Sequence, residues 1–123
     1  MKSHYCFEKE NKYIRMVVSG EYDFDDFKTY LKIIFAKCKN EEIFKVVFDV
    51  LGVEGIDVPT LERYLLGVEA ADQLTGKIKL AVVWHPEYTN YLGQAVAVNR
   101  GGNISVLGSI DKALEWLLHD IKE

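Results

Sequence analysis

At 123 residues, with 49% hydrophobic and 28% charged side chains, the chain has the length and composition of a single ordered domain able to bury one core. Lys and Arg total 15 against 19 Asp and Glu, a formal net charge of −4, and no basic cluster stands against that sign, so no nucleic-acid partner is expected. No apolar run reaches the roughly 18 residues of a membrane span, "MKSHYCFEKENK" has charge where a signal peptide needs an apolar stretch, and Cys6 and Cys38 form no CxxC, so the chain reads as cytoplasmic with reduced thiols.

The elements follow from periodicity. "HYCFEKENKYIRMVV" predicts a hairpin: strand His4–Glu8, a turn near Glu10–Lys12, strand Tyr13–Val18. "SGEYDFDD" breaks it and supplies an N-cap, Asp23 or Asp25. Phe27, Leu31, Ile34 and Cys38 then mark an amphipathic helix to about Lys39, with Phe24, Tyr30 and Phe35 widening its apolar side and Cys38 a buried thiol. "KVVFDVLGV" is apolar on both alternating faces, as a central strand covered on two sides must be.

A second helix is expected over Thr60–Leu74, with Leu61, Leu65 and Val68 inward and Gly76 as its stop. "KIKLAVVW" is the next strand, closed by His85-Pro86; "EYTNYLGQAVAVN" reads as a helix stopped by Gly101-Gly102, and "ISVL" as a short last strand. The final helix starts at Ser109 or Ile110, with Ile110, Ala113, Leu114, Leu117, Leu118 and Ile121 as its stripe and Trp116 covering an edge of the core. The order ββαβαβαβα, with short links, implies a mostly parallel sheet with right-handed crossovers and one antiparallel edge strand.

In such sheets ligands collect beyond the carboxyl ends of the strands. That rim is built from Gly20–Asp23, Gly52–Thr60, His85–Tyr88 and Gly108–Asp111, with Glu21, Tyr22, Asp23, Asp57, Thr60, His85, Tyr88 and Ser109 as its binding candidates. With Glu87 and Asp111 added, the rim is acidic, which disfavours phosphate. Acid–base chemistry would fall to His85 with Asp57 or Asp23. No GxSxG elbow or adjacent Ser or Cys nucleophile completes a catalytic set. His4, His85 and His119 lie on three different elements without ligand spacing, so neither a metal nor a cofactor is expected. "QLTGK" lacks the first glycine and the strand-to-helix order of a phosphate loop, and "NRGGN" is turn chemistry. Tyr22, Tyr64, Tyr88 and Tyr91 near the rim are compatible with an aromatic-walled pocket or with half-buried helix faces.

The element order, the "VVFDVLGVEGID" strand and loop and the closing "DKALEWL" resemble the SpoIIAA-like branch of the STAS fold, relatives of bacterial anti-sigma-factor antagonists. The resemblance runs from about Tyr13 to Leu118, with "ALEWL" (Ala113–Leu117) its sharpest local match. In that family the loop after this strand reads Asp-Ser-Ser/Thr-Gly-Leu, and the second hydroxyl residue accepts a phosphate that toggles partner binding. Asp57 and Leu61 agree with it, Val58 replaces the first serine, and Pro59 stands at the phosphoacceptor position. Proline has neither a hydroxyl to phosphorylate nor an N–H to donate. Thr60 comes one residue late, about 100° further round a helix. Asp57 then reads as a cap and Pro59 as a first-turn residue.

The expected molecule is a single-domain STAS-like α/β protein that acts by binding, without the serine phosphoswitch. Its partners are a second copy, with Tyr5 and Phe7 as the candidate dimer surface, or another protein. The alternatives are a carrier of a small apolar ligand or lipid, by the similarity of the fold to CRAL-TRIO domains, and an enzyme using His85.

Overall fold

Five strands form one sheet in the order β1-β2-β3-β4-β5, in a computed structural model that describes residues 1–54, 57–88 and 90–119. β1 (Ser3–Lys9) pairs antiparallel with β2 (Ile14–Glu21), while β3 (Lys45–Glu54), β4 (Lys79–Val83) and β5 (Asn103–Leu107) continue in parallel. Helices α1 (Phe24–Glu41), α2 (Thr60–Leu74), α3 (Leu92–Asn99) and α4 (Ile110–Leu118) follow β2, β3, β4 and β5 in turn. The expected α/β order ββαβαβαβα is the observed one.

Strand alternation assigns the two faces. Ile14, Met16 and Val18 of β2, Val46, Phe48 and Val50 of β3, and Leu80 and Val82 of β4 point into the larger core beneath α1, α2 and α3. Val47, Ala81 and Val83 point the other way, to meet Ala113 and Leu117 of α4. Both faces of β3 are therefore buried, which explains its unbroken apolar run. Of the hairpin aromatics expected at a dimer surface, Tyr5 is exposed and Phe7 half-buried. Tyr5 and Phe7 share a face with Met16 and Val18, and the Tyr5 ring meets Tyr30 of α1 edge-on, centroids 5.4 Å apart. On the other side of the hairpin Arg15 bonds Asp49 at 2.6 Å and lies 3.7 Å from Glu8, so that surface is charged rather than apolar.

The helix ends show where local chemistry decides. Asp23 is the N-cap of α1, its carboxylate accepting from Asp26 N at 3.1 Å, and Ser109 caps α4 through Lys112 N at 3.2 Å. Asp57 does not cap α2: Pro59 occupies the N-cap without a side-chain bond, and the Asp57 side chain is 86% exposed. Thr75 ends α2 in the left-handed region (φ 56°), one residue before the expected Gly76. The segment after His85 is a 3-10 turn, Pro86–Tyr88, and only then α3, so the long helix expected there is split. Phe35 lies outside the core and is exposed, whereas Tyr30 and Cys38 are fully buried. Ile121 and the loop residues 55–56 fall outside the described residues.

The largest difference concerns α2. Leu61 is 67% exposed, Leu65 is exposed and Val68 is half-buried; the inner face is instead Leu66, Gly67, Ala70, Ala71 and Leu74. Small residues win there because α3 comes very close. A Cβ on Gly67 would stand 2.5 Å from the Gly93 carbonyl oxygen, a distance no side chain tolerates.

Candidate functional site

The rim residues are positioned by strand ends and caps. Glu21 closes β2, exposed, its N–H bonded to Lys2 O at 3.2 Å. Tyr22 donates its hydroxyl to Glu62 Oε1 at 2.8 Å, and its ring meets Phe27 with centroids 4.9 Å apart. Burial, then the Glu62 carboxylate, pushes its phenol well above the ordinary range, so Tyr22 stays a neutral donor. Thr60 is exposed at the first position of α2, and Ser109 is committed to its cap.

His85 is half-buried, and its Nε2 lies 2.8 Å from the Leu51 carbonyl oxygen. A carbonyl only accepts, so Nε2 carries the hydrogen in this contact. The carboxylates expected beside it make contacts of their own. Asp23 bonds Asp26 N, and Asp57 faces Arg63 Nη2 at 3.8 Å. The bond from His85 to Leu51 joins the start of the β4–α3 connection to β3.

Arg63, absent from the sequence-based site, organises this end of the molecule. Its Nε donates to Val58 O at 2.8 Å and its Nη2 to Tyr88 O at 3.1 Å, tying the loop before α2 to the turn before α3. The guanidinium lies over the Trp84 ring, 6.0 Å from its centroid, and the side chain is only 11% exposed. A cation in the first turn of a helix opposes the helix dipole. That placement was the available signal that Arg63 has a tertiary role.

Beneath Arg63 lies a cavity of about 110 Å³ between the sheet and α1, α2 and α3. Its walls are apolar, from Phe27 and Phe48 to Ile104 and Val106, except for Arg63, Asn90, Gln94 and the indole of Trp84. The Gln94 amide oxygen accepts from Val106 N at 2.8 Å, and Asn90 Oδ1 from Leu92 N at 3.1 Å. Among the described residues no Asp or Glu lines it. The acidic rim and the cavity just below it thus differ in sign. Among the described residues no group of three or more His, Cys, Asp or Glu is placed to hold a metal ion.

No family model matches the chain, and no curated protein matches it. Among solved structures, the crystal structure of an anti-sigma factor antagonist from Mycobacterium paratuberculosis is similar to it, with a TM-score of 0.62 and 16% identity over 94% of this chain and 93% of that one. At that identity the likeness is one of fold, and it agrees with the STAS (SpoIIAA-like) architecture implied by the sequence. No helix among the described residues is long and apolar enough to cross a membrane.

Proposed function

We propose that this protein is a non-enzymatic STAS-type binding module whose protein-docking surface is the outer face of α2 beside the rim. One observation carries the reading: Leu61 and, about one helical turn further on, Tyr64 and Leu65 are all exposed on a helix whose other face already supplies the core. Exposed apolar side chains at this spacing suit a partner that buries them. The similar solved protein is an antagonist of an anti-sigma factor, a role exercised on another protein, and the shared fold supports the same mode of action here. The module works without a serine phosphoswitch, because Pro59 holds the N-cap (φ −55°) with no hydroxyl. A homodimer through the same face, and a cytoplasmic setting suited to the free thiols Cys6 and Cys38, belong to this reading.

The test is site-specific photo-cross-linking in cells, with the cross-linker at Leu61 or Leu65 and, as a control, at exposed Lys112 of α4. Adducts concentrated at the α2 positions, and lost when the other leucine is changed to Glu, are the expected result. Equal labelling from Lys112 would refute the assignment. Phosphate mapped to Thr60 together with an altered adduct pattern would refute the constitutive mode. A monomer in sedimentation at every concentration would remove the homodimer.

A further inference from the structure

The cavity under α2 and α3 has a chemistry that packing alone does not explain. Trp84, just past β4, is 9% exposed and forms part of its wall, and its indole Nε1–H is buried without a hydrogen-bond partner among the described residues. A buried donor left unpaired is disfavoured relative to one with an acceptor. Arg63 adds a cation to the same wall. Its Nε and Nη2 are bonded to carbonyls, and its side chain is 11% exposed. Asp57, the carboxylate facing the guanidinium, is 3.8 Å away and 86% exposed, so water screens it. A largely buried cation and the Trp84 indole therefore border the same apolar space, and among the described residues no acidic side chain lines it.

We infer that this cavity binds a compact apolar monocarboxylate, its carboxylate held by Arg63 with the Trp84 indole as a further donor and its hydrocarbon body among Phe48, Leu66, Val82 and Ile104. Each part of that ligand answers a feature of the site. The volume, about 110 Å³, is of the order of a cavity that takes up one benzene ring, roughly 150 Å³. The walls call for hydrocarbon, and the charge calls for an anion small enough to be met by one guanidinium. A phosphate would bring more charge than a single arginine offsets. A neutral hydrocarbon would leave the indole N–H as it is. The site lies under the helix whose outer face carries the proposed docking surface, yet it is read out on the purified protein alone, so the two proposals fail independently.

The experiment titrates the full-length protein with benzoate and hexanoate, and with toluene as the neutral control, following the Trp84 indole N–H resonance and ligand-observed saturation transfer. Trp116→Phe assigns the indole signal. Binding of both acids, with the Trp84 resonance moving as its hydrogen bond forms, is expected. Arg63→Gln should weaken benzoate about tenfold, the worth of one charge-assisted hydrogen bond. Arg63→Lys, which keeps the charge, should recover most of the affinity. Ala70→Leu fills the space without touching either polar group and should block benzoate and toluene alike. An unmoved Trp84 resonance at millimolar acid overturns the inference. So does toluene binding as tightly as benzoate, or benzoate affinity unchanged by both Arg63→Gln and Ala70→Leu.

Discussion

Asp26 shows what a single buried residue can decide. It is 6% exposed, and one carboxylate oxygen accepts from Lys2 N at 3.0 Å, Ser3 N at 3.1 Å and Ser3 Oγ at 2.8 Å, fastening the start of β1 to α1. Burial pushes its pKa up, but those hydrogen bonds outweigh it and hold the carboxyl below its usual range. A depressed native pKa contributes stability above the ordinary carboxylate value, and that contribution is lost as pH falls through the native one. Asp26→Ala should therefore cost about 2–3 kcal/mol at neutral pH, with three donors left unanswered. The difference from wild type in thermal or denaturant unfolding should shrink below about pH 4. Cys38 gives a second residue-scale expectation. Burial pushes its thiol up to about 11, so at neutral pH it is both hidden and protonated. Alkylation should label exposed Cys6 in the native protein and reach Cys38 only on unfolding, as mass spectrometry of a time course would show.

At the scale of elements, the α2–α3 contact is the most constrained. Gly67→Ala would drive a methyl group into a backbone carbonyl that cannot rotate away, so α3 must move. A loss of about 1–3 kcal/mol is expected, together with hydrogen exchange that rises in α3 more than in α1. The same contact explains what the sequence hid. The stripe of α4 was legible because large residues face the core there: Ala113 and Leu117 are fully buried, and Ile110 and Leu114 pack beside them. In α2 the rule inverts. Close backbone approach requires Gly67, Ala70 and Ala71 inside, which leaves Leu61 and Leu65 as a genuine amphipathic stripe that faces solvent. Periodicity reports a face, not what lies against it. The cavity was illegible for a related reason. Phe27, Arg63, Trp84 and Ile104 come from four elements spread along most of the chain, and no local pattern joins them. The rim residues, by contrast, were legible one by one from strand ends, while their pairing was not: Tyr22 found Glu62, and Asp57 found Arg63.

For the whole molecule, the sheet order sets a gradient of protection. β2, β3 and β4 each have neighbours on both sides, whereas β1 and β5 are edges. Native-state hydrogen exchange should find the slowest amides in β3 and β4 and earlier opening in β1, where acid also removes the Asp26 anchor. Equal protection across all five strands would contradict this picture. The two faces differ as well. Three helices cover one, and α4 alone covers the other, held at its carbonyl end by lysines from the starts of two strands. Lys45 Nζ donates to Leu117 O at 3.0 Å and Lys79 Nζ to Trp116 O at 2.9 Å, the latter also sitting 4.6 Å from the centre of the Trp116 ring. Cations suit the C-terminal end of a helix.

This last arrangement has a consequence for the ribosome. The carbonyl that receives Lys79 belongs to a residue 37 positions downstream, and the one that receives Lys45 is 72 positions downstream. A chain made from its N-terminus builds the middle of the sheet well before the helix that shields Val47, Ala81 and Val83 has been translated. Until α4 leaves the exit tunnel, that face of the sheet stays open to water, and it is during those seconds that a chaperone would find its grip.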